Sequence, residues 1–193
     1  MLIFIQKTIL AIRAIGFVNI LFNFVTLFNK ETPQTIKLNC NTRLKERVDK
    51  KVKKMNSAHN SPGSKYNVLI QDIYLHYATW YRHKADIYWG RPSLLDRYKC
   101  AWFYVTSGEL YELANNPDSA SSQYHFAANQ FRDVGALNQS IKYYIKALML
   151  ASGDDWKKRN KARAISISKM AGETETAELL EKDEPDKAID LTR

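Results

Sequence analysis

The chain has 193 residues, 45% of them hydrophobic and 12% aromatic, which suits one domain with a core of large rings plus an appended segment. Its formal charge of +9 is uneven: residues 1–60 hold eleven Lys and Arg against three acids, and residues 171–193 hold three against eight. A basic front points to lipid headgroups or nucleic acid, while two distant cysteines, Cys40 and Cys100, without a CxxC pair speak against a metal centre or redox couple.

Residues 1–28 contain no acid and only two bases, Lys7 and Arg13. A bilayer span needs about 20 mostly apolar residues, and residues 8–28 supply them. Arg13 would cost about 2.5–3.5 kcal/mol at the membrane centre, but it lies toward one end and can snorkel. Arg13, Gly16, Asn19, Asn23 and Thr26 share one helical sector, as in a helix packed against another helix in lipid. A transmembrane helix is the first expectation. A helix clamped inside a protein assembly and a removed targeting segment are the alternatives.

Residues 29–65 read as a polar linker with Pro33, Pro62 and Gly63. Within it, RLKERVDKKVKK places Leu44, Val48 and Val52 at helical spacing beside Arg43, Lys45, Arg47, Lys50, Lys51, Lys53 and Lys54. A short basic amphipathic helix there would contact anionic lipid or RNA, or simply stay solvated. Following a span, it would put the body on the matrix or cytoplasmic side.

The folded body is expected over residues 66–182. Tyr66, Ile70, Ile73, Tyr77, Trp80, Tyr81 and Tyr88 mark a long amphipathic helix ending at Gly90-Arg91-Pro92, with Tyr74 and Trp89 off its stripe. A second helix over 93–114 offers Leu94, Tyr98, Ala101, Trp102, Val105 and Leu113. Asn115-Asn116-Pro117 breaks the pattern, with Asp118 or Ser119 expected to cap the third helix.

Residues 121–154 carry the clearest pattern. Tyr124, Ala127, Ala128 and Phe131 share one helical face; a turn falls at Gly135; Ser140, Ile141, Tyr144, Ala147, Leu148 and Met149 form the answering face. Small residues at Ala128, Ser140 and Ala147 let the two backbones approach. Asp154 or Asp155 then caps a helix to Met170, Gly172 turns the chain, and a short helix over 174–182 precedes an acidic, frayed tail over 183–193.

This spacing resembles a tetratricopeptide repeat: aromatic, small pair, aromatic, turn, small residue, aromatic, Ala-Leu, within 34 residues. Tyr124 stands where Trp is usual and Ser152 where a closing Pro is usual. Setting Gly172 against Gly135 gives a degenerate second copy over roughly 155–182. The two longer helices before it resemble, in length alone, the extended hairpins of soluble NSF-attachment proteins. The resemblance implies an all-α, right-handed solenoid of antiparallel hairpins that binds proteins and is not an enzyme. In that family, peptides lie along the first helices of successive hairpins, and one arrangement holds a C-terminal carboxylate. Carried over, it implies a groove for an acidic peptide at His125, Asn129, Arg132, Arg159 and Arg163. A merely solvated basic face is the alternative.

No P-loop, GxSxG or dinucleotide fingerprint is present, and His59, His76, His83 and His125 lack partners at metal spacing. No catalytic residue, cofactor or metal is therefore expected. The expected role is a membrane-tethered scaffold or accessory subunit of a larger assembly, at a mitochondrial inner or bacterial cytoplasmic membrane. The rival is an RNA- or ribosome-associated protein using its basic front.

Overall fold

A computed structural model of the chain describes Lys50 and residues 65–192, all within one compact unit. Among the described residues the fold is all-α, with no strand. Seven helices follow one another: α1 (Lys65–Tyr88), α2 (Leu94–Leu113), α3 (Pro117–Asp133), α4 (Leu137–Leu150), α5 (Asp154–Ala171), α6 (Thr174–Glu181) and α7 (Pro185–Asp190). Each packs against the next in the chain, and α7 also returns to α4. None of these helices is long and apolar enough to cross a membrane. The expected span over 1–28 and most of the linker, including Arg43, Lys45, Arg47, Lys51, Lys53 and Lys54, lie outside the described residues; Lys50 is exposed.

Four turns repeat one device. At Asn115, Gly135, Gly172 and Asp183 the backbone enters the left-handed region, with φ of 55°, 78°, 80° and 61°. After each, the next N–H reaches back five residues to a helix carbonyl: Asn116 to Tyr111, Ala136 to Phe131, Glu173 to Ser168 and Glu184 to Leu179, at 2.8–2.9 Å. This is the hydrogen bond of a Schellman turn. Gly135 and Gly172 were legible as turns; Asn115 and Asp183 use residue types that tolerate this region.

Helix starts differ from expectation in detail. The α3 cap is Asn116, whose Oδ1 accepts from the Ser119 N–H at 3.2 Å, with Pro117 opening the helix. Asp118 instead accepts from the Ser152 N–H at 3.0 Å. A proline at 152 would have no such donor, so the departure from the repeat pattern serves a contact across the hairpin. Gly153, and not Asp154 or Asp155, precedes α5; the two acids sit in its first turn, where the helix dipole favours them.

The expected one-sided face of α2 is wrong. Cys100 through Gly108 are all buried, because α2 lies between α1 and α3, whereas Leu94 and Leu113 project. A helix enclosed on both sides is apolar all round. Tyr74 also joins the core and Met149 leaves it. The acidic tail is not frayed throughout: α7 buries Ala188 completely.

Hydroxyls fasten neighbouring helices. Ser107 donates to the Ala78 carbonyl (2.7 Å), Ser140 to Ala128 (2.9 Å) and Ser121 to Ala147 (2.6 Å), while Trp156 Nε1 donates to Ser121 Oγ (2.9 Å). Such bonds need close backbones, which the small residues at these crossings permit. Between them Phe131 stacks on Tyr143 (5.5 Å, 15°), and Trp102 meets Phe131 edge-on at 5.3 Å.

The tightest crossing is Gly108 against Tyr124. A Cβ built on Gly108 would lie 2.8 Å from the Tyr124 ring. The ring is fully buried, its hydroxyl donates to Glu112, and Lys146 sits over it at 4.8 Å while pairing with Glu112 at 3.7 Å. Gly108→Ala is therefore expected to destabilise the full chain by about 1–3 kcal/mol in urea unfolding. In a Tyr124→Leu background the same change should become neutral or stabilising, since Ala favours a helix by about 1 kcal/mol over Gly. Equal costs in both backgrounds would show that the ring is not the obstacle.

Candidate functional site

The groove residues expected from the sequence meet where α3 faces α5, but not with equal roles. His125 is buried, not exposed. Asn160 Nδ2 donates to the Trp156 carbonyl at 3.0 Å, so its Oδ1 is left to accept, and His125 carries its proton on Nδ1 for a 2.7 Å bond. The His125 ring lies 4.6 Å from Trp156 and 5.5 Å from Tyr144. It is a brace between two helices and leaves the ligand-facing set. The helical wheel could not show this, because the covering residues, Trp156 and Asn160, come from α5.

Asn129 is half-buried, and its Oδ1 accepts from the Tyr144 hydroxyl at 2.7 Å. Burial pushes the Tyr144 hydroxyl above its ordinary value, and the positive charges of Arg132 and Arg163 nearby draw it back down. Arg132 forks onto Asp133, with Nε at 3.0 Å and Nη2 at 2.7 Å, so its charge is largely answered locally. Arg159 lies over the Trp156 ring at 5.6 Å. Arg159 and Arg163 are both exposed, and no carboxylate pairs with either among the described residues. Two arginines one helical turn apart thus present open donors beside Asn129 and Tyr144. Sequence reasoning missed Tyr144, Trp156 and Asn160, which position this face.

The electrostatics agree with the geometry. Burial pushes the His125 imidazole below its ordinary value, and Arg163, Arg159 and Arg132 push it further, against a rise from Asn160. All three guanidinium groups therefore act on one point. An anion resting on the exposed side of Arg159 and Arg163 would meet planar donors suited to a carboxylate.

Other candidates do not form a site of this kind. Among the described residues no three His, Cys, Asp or Glu side chains converge on a metal position. His76 and His83 are exposed, the latter 3.8 Å from Asp86. Cys100 is buried and donates to the Ala85 carbonyl at 3.2 Å; burial and Asp86 push its thiol up to about 12, which makes it a poor nucleophile. A cavity of about 450 Å³ opens between α2, α4 and the C-terminal residues Leu191 and Thr192, and it shares no residue with the basic face. Comparison with known protein families, curated proteins and solved structures found no match for this chain.

The His125 shift has a definite sign. Above about pH 6.5, the ordinary histidine value, neither folded nor unfolded His125 is protonated, and it adds no pH dependence. Below that, the unfolded chain takes up a proton that the folded chain resists, so stability falls with falling pH. His125→Gln is expected to flatten the urea midpoint between about pH 7 and 5. An unaltered slope would assign the acid sensitivity to other groups.

Proposed function

We propose that this chain is a non-catalytic scaffold of the tetratricopeptide-repeat type, tethered to a membrane through residues 1–28, whose α3–α5 face receives an acidic segment of a partner protein. The partner would be a subunit of the same membrane assembly, held by contact. The observation that carries the reading is the pair Arg159 and Arg163, exposed and unanswered by carboxylates among the described residues, beside Asn129 and Tyr144. Supporting it are helices packed in chain order, close hairpin crossings at Ala128, Ser140 and Ala147, and a repeated turn at Gly135 and Gly172.

The mechanism would be charge-assisted docking. Arg159 rests over the Trp156 ring, and Arg163 stands near the Tyr144 hydroxyl, which Asn129 fixes. A carboxylate entering between the arginines replaces water with paired N–H donors on groups already held in place.

Calorimetry of the full chain with an acidic peptide, its C-terminal amide and a neutral control tests this. Arg159→Ala with Arg163→Ala is expected to weaken acidic-peptide binding at least about tenfold, since a hydrogen bond to a charged group contributes about 1.5–3 kcal/mol. Bound peptide should also raise the His125 value in an NMR titration, because its charge offsets the arginines. Unchanged affinity in the double variant would end the groove reading. Steeply salt-dependent RNA binding in place of peptide binding would favour an RNA-associated role. For the tether, the full chain should resist alkaline extraction from membranes and a form lacking residues 1–28 should not; equal release would remove it.

A further inference from the structure

A second surface lies at the turn between α1 and α2. Every residue from Trp89 to Leu95 is exposed, and so is Ile87. Four large apolar side chains crowd this short stretch: Ile87 at 53% exposure, Trp89 at 46%, Leu94 at 65% and Leu95 at 39%. Phe126, also exposed, touches Trp89 at 5.7 Å and extends the cluster onto α3. Single exposures need no explanation, but a cluster does.

Several backbone groups of this tip are already satisfied from within. Arg91 Nε donates to the Ile87 carbonyl at 3.0 Å, and its guanidinium covers the Tyr88 ring at 4.9 Å. Arg97 Nε donates to the Arg91 carbonyl at 3.2 Å. Ser93 caps α2 through the Asp96 N–H, and the Trp89 N–H returns to Ala85. Two arginines thus close carbonyls that would otherwise require water. A turn so closed can leave water at lower cost than one with open carbonyls. Trp89 is anchored at its base by ring contacts with Tyr104 (5.8 Å) and Phe126 (5.7 Å).

Charge selects the occupant. Between residues 82 and 99 five Lys and Arg stand against two Asp. At their exposures the four apolar side chains present about half of the roughly 800 Å² per partner that a stable protein interface buries. An exposed tip of Leu, Ile and Trp, flanked in the chain by more bases than acids and with Arg91 also pairing with Asp96 at 3.9 Å, fits a surface that is soft, apolar below and anionic above. We propose that the α1–α2 tip is a membrane-contact element that enters the headgroup region of an anionic bilayer, with Leu94, Leu95 and Ile87 below it and Trp89 at its level. The residues proposed to enter lipid are not those of the Arg159–Arg163 face, although Phe126 and His125 link the two through ring contacts, and the proposal does not require residues 1–28 to enter lipid.

The test uses the full chain with phosphatidylcholine vesicles, with and without phosphatidylserine, whose acyl chains carry bromine. Bromine quenches tryptophan only at contact depth, so the readout is local to the tip whatever residues 1–28 do. Quenching is expected with phosphatidylserine present, to be lost for the most part in Trp89→Phe, and to fall severalfold in the Leu94→Gln, Leu95→Gln double variant. Those two leucines are exposed, so the double variant should fold, which circular dichroism checks. No quenching, or equal quenching in wild type and Trp89→Phe, overturns the proposal. Trp89 left unquenched while the double variant halves the sedimenting mass would make the tip a contact between copies, and overturns it as well.

Discussion

The spacing of the whole body depends on one aromatic ring lying on bare helix backbone. Tyr124 leaves α3 and rests on Gly108 of α2, where no side chain could stand between them. That contact sets how near α2 and α3 can come, and Glu112 with Lys146 then fixes the ring from α2 and α4. Once the ring is seated, Tyr143 can stack on it at 5.6 Å and Phe131 on Tyr143. Serine hydroxyls reach neighbouring carbonyls only because these crossings are close. Packing of this density makes small residues as decisive as large ones.

The basic face inherits its order from this core. Tyr144 is buried against α3, yet its hydroxyl reaches Asn129, near the charge of Arg163. Ser121 takes the Trp156 N–H, and Trp156 carries Arg159 on its ring. Arg159 is therefore two contacts away from the hairpin interior. His125 and Asn160 lock α3 to α5 beneath them. Positive charge gathered on supported side chains is what distinguishes this patch from the ordinary solvated lysines nearby.

Local pattern revealed the elements well and their surroundings poorly. Helix limits came from Gly135, Gly172 and Pro92 and from the spacing of Tyr124, Phe131 and Tyr144, because these signals act within one or two turns of chain. The enclosure of α2 was not legible: a wheel drawn on one helix cannot tell whether one neighbour or two will cover it. The same limit hid His125, which looked outward on α3 until α5 closed over it. Gly108 carried no sequence signal at all, since its role exists only against the Tyr124 ring of another helix. Asn129, Arg159 and Arg163 were singled out through the resemblance to the repeat family, while Tyr144, which bonds Asn129, comes from another helix.

The return of α7 to α4 changes what kind of object the C-terminal half is. A linear stack of hairpins has an end from which helices can peel one at a time, each exposing only the face of the next. Here α7 reaches past α5 and α6 and buries Ala188 beside the α4 side of the stack. The last four helices thereby form a closed circuit. Releasing α7 breaks two joints instead of one, so amide protons of α5 and α6 should exchange together with α4 as a single cooperative block. The short acidic helix is in effect a clasp between α6 and α4.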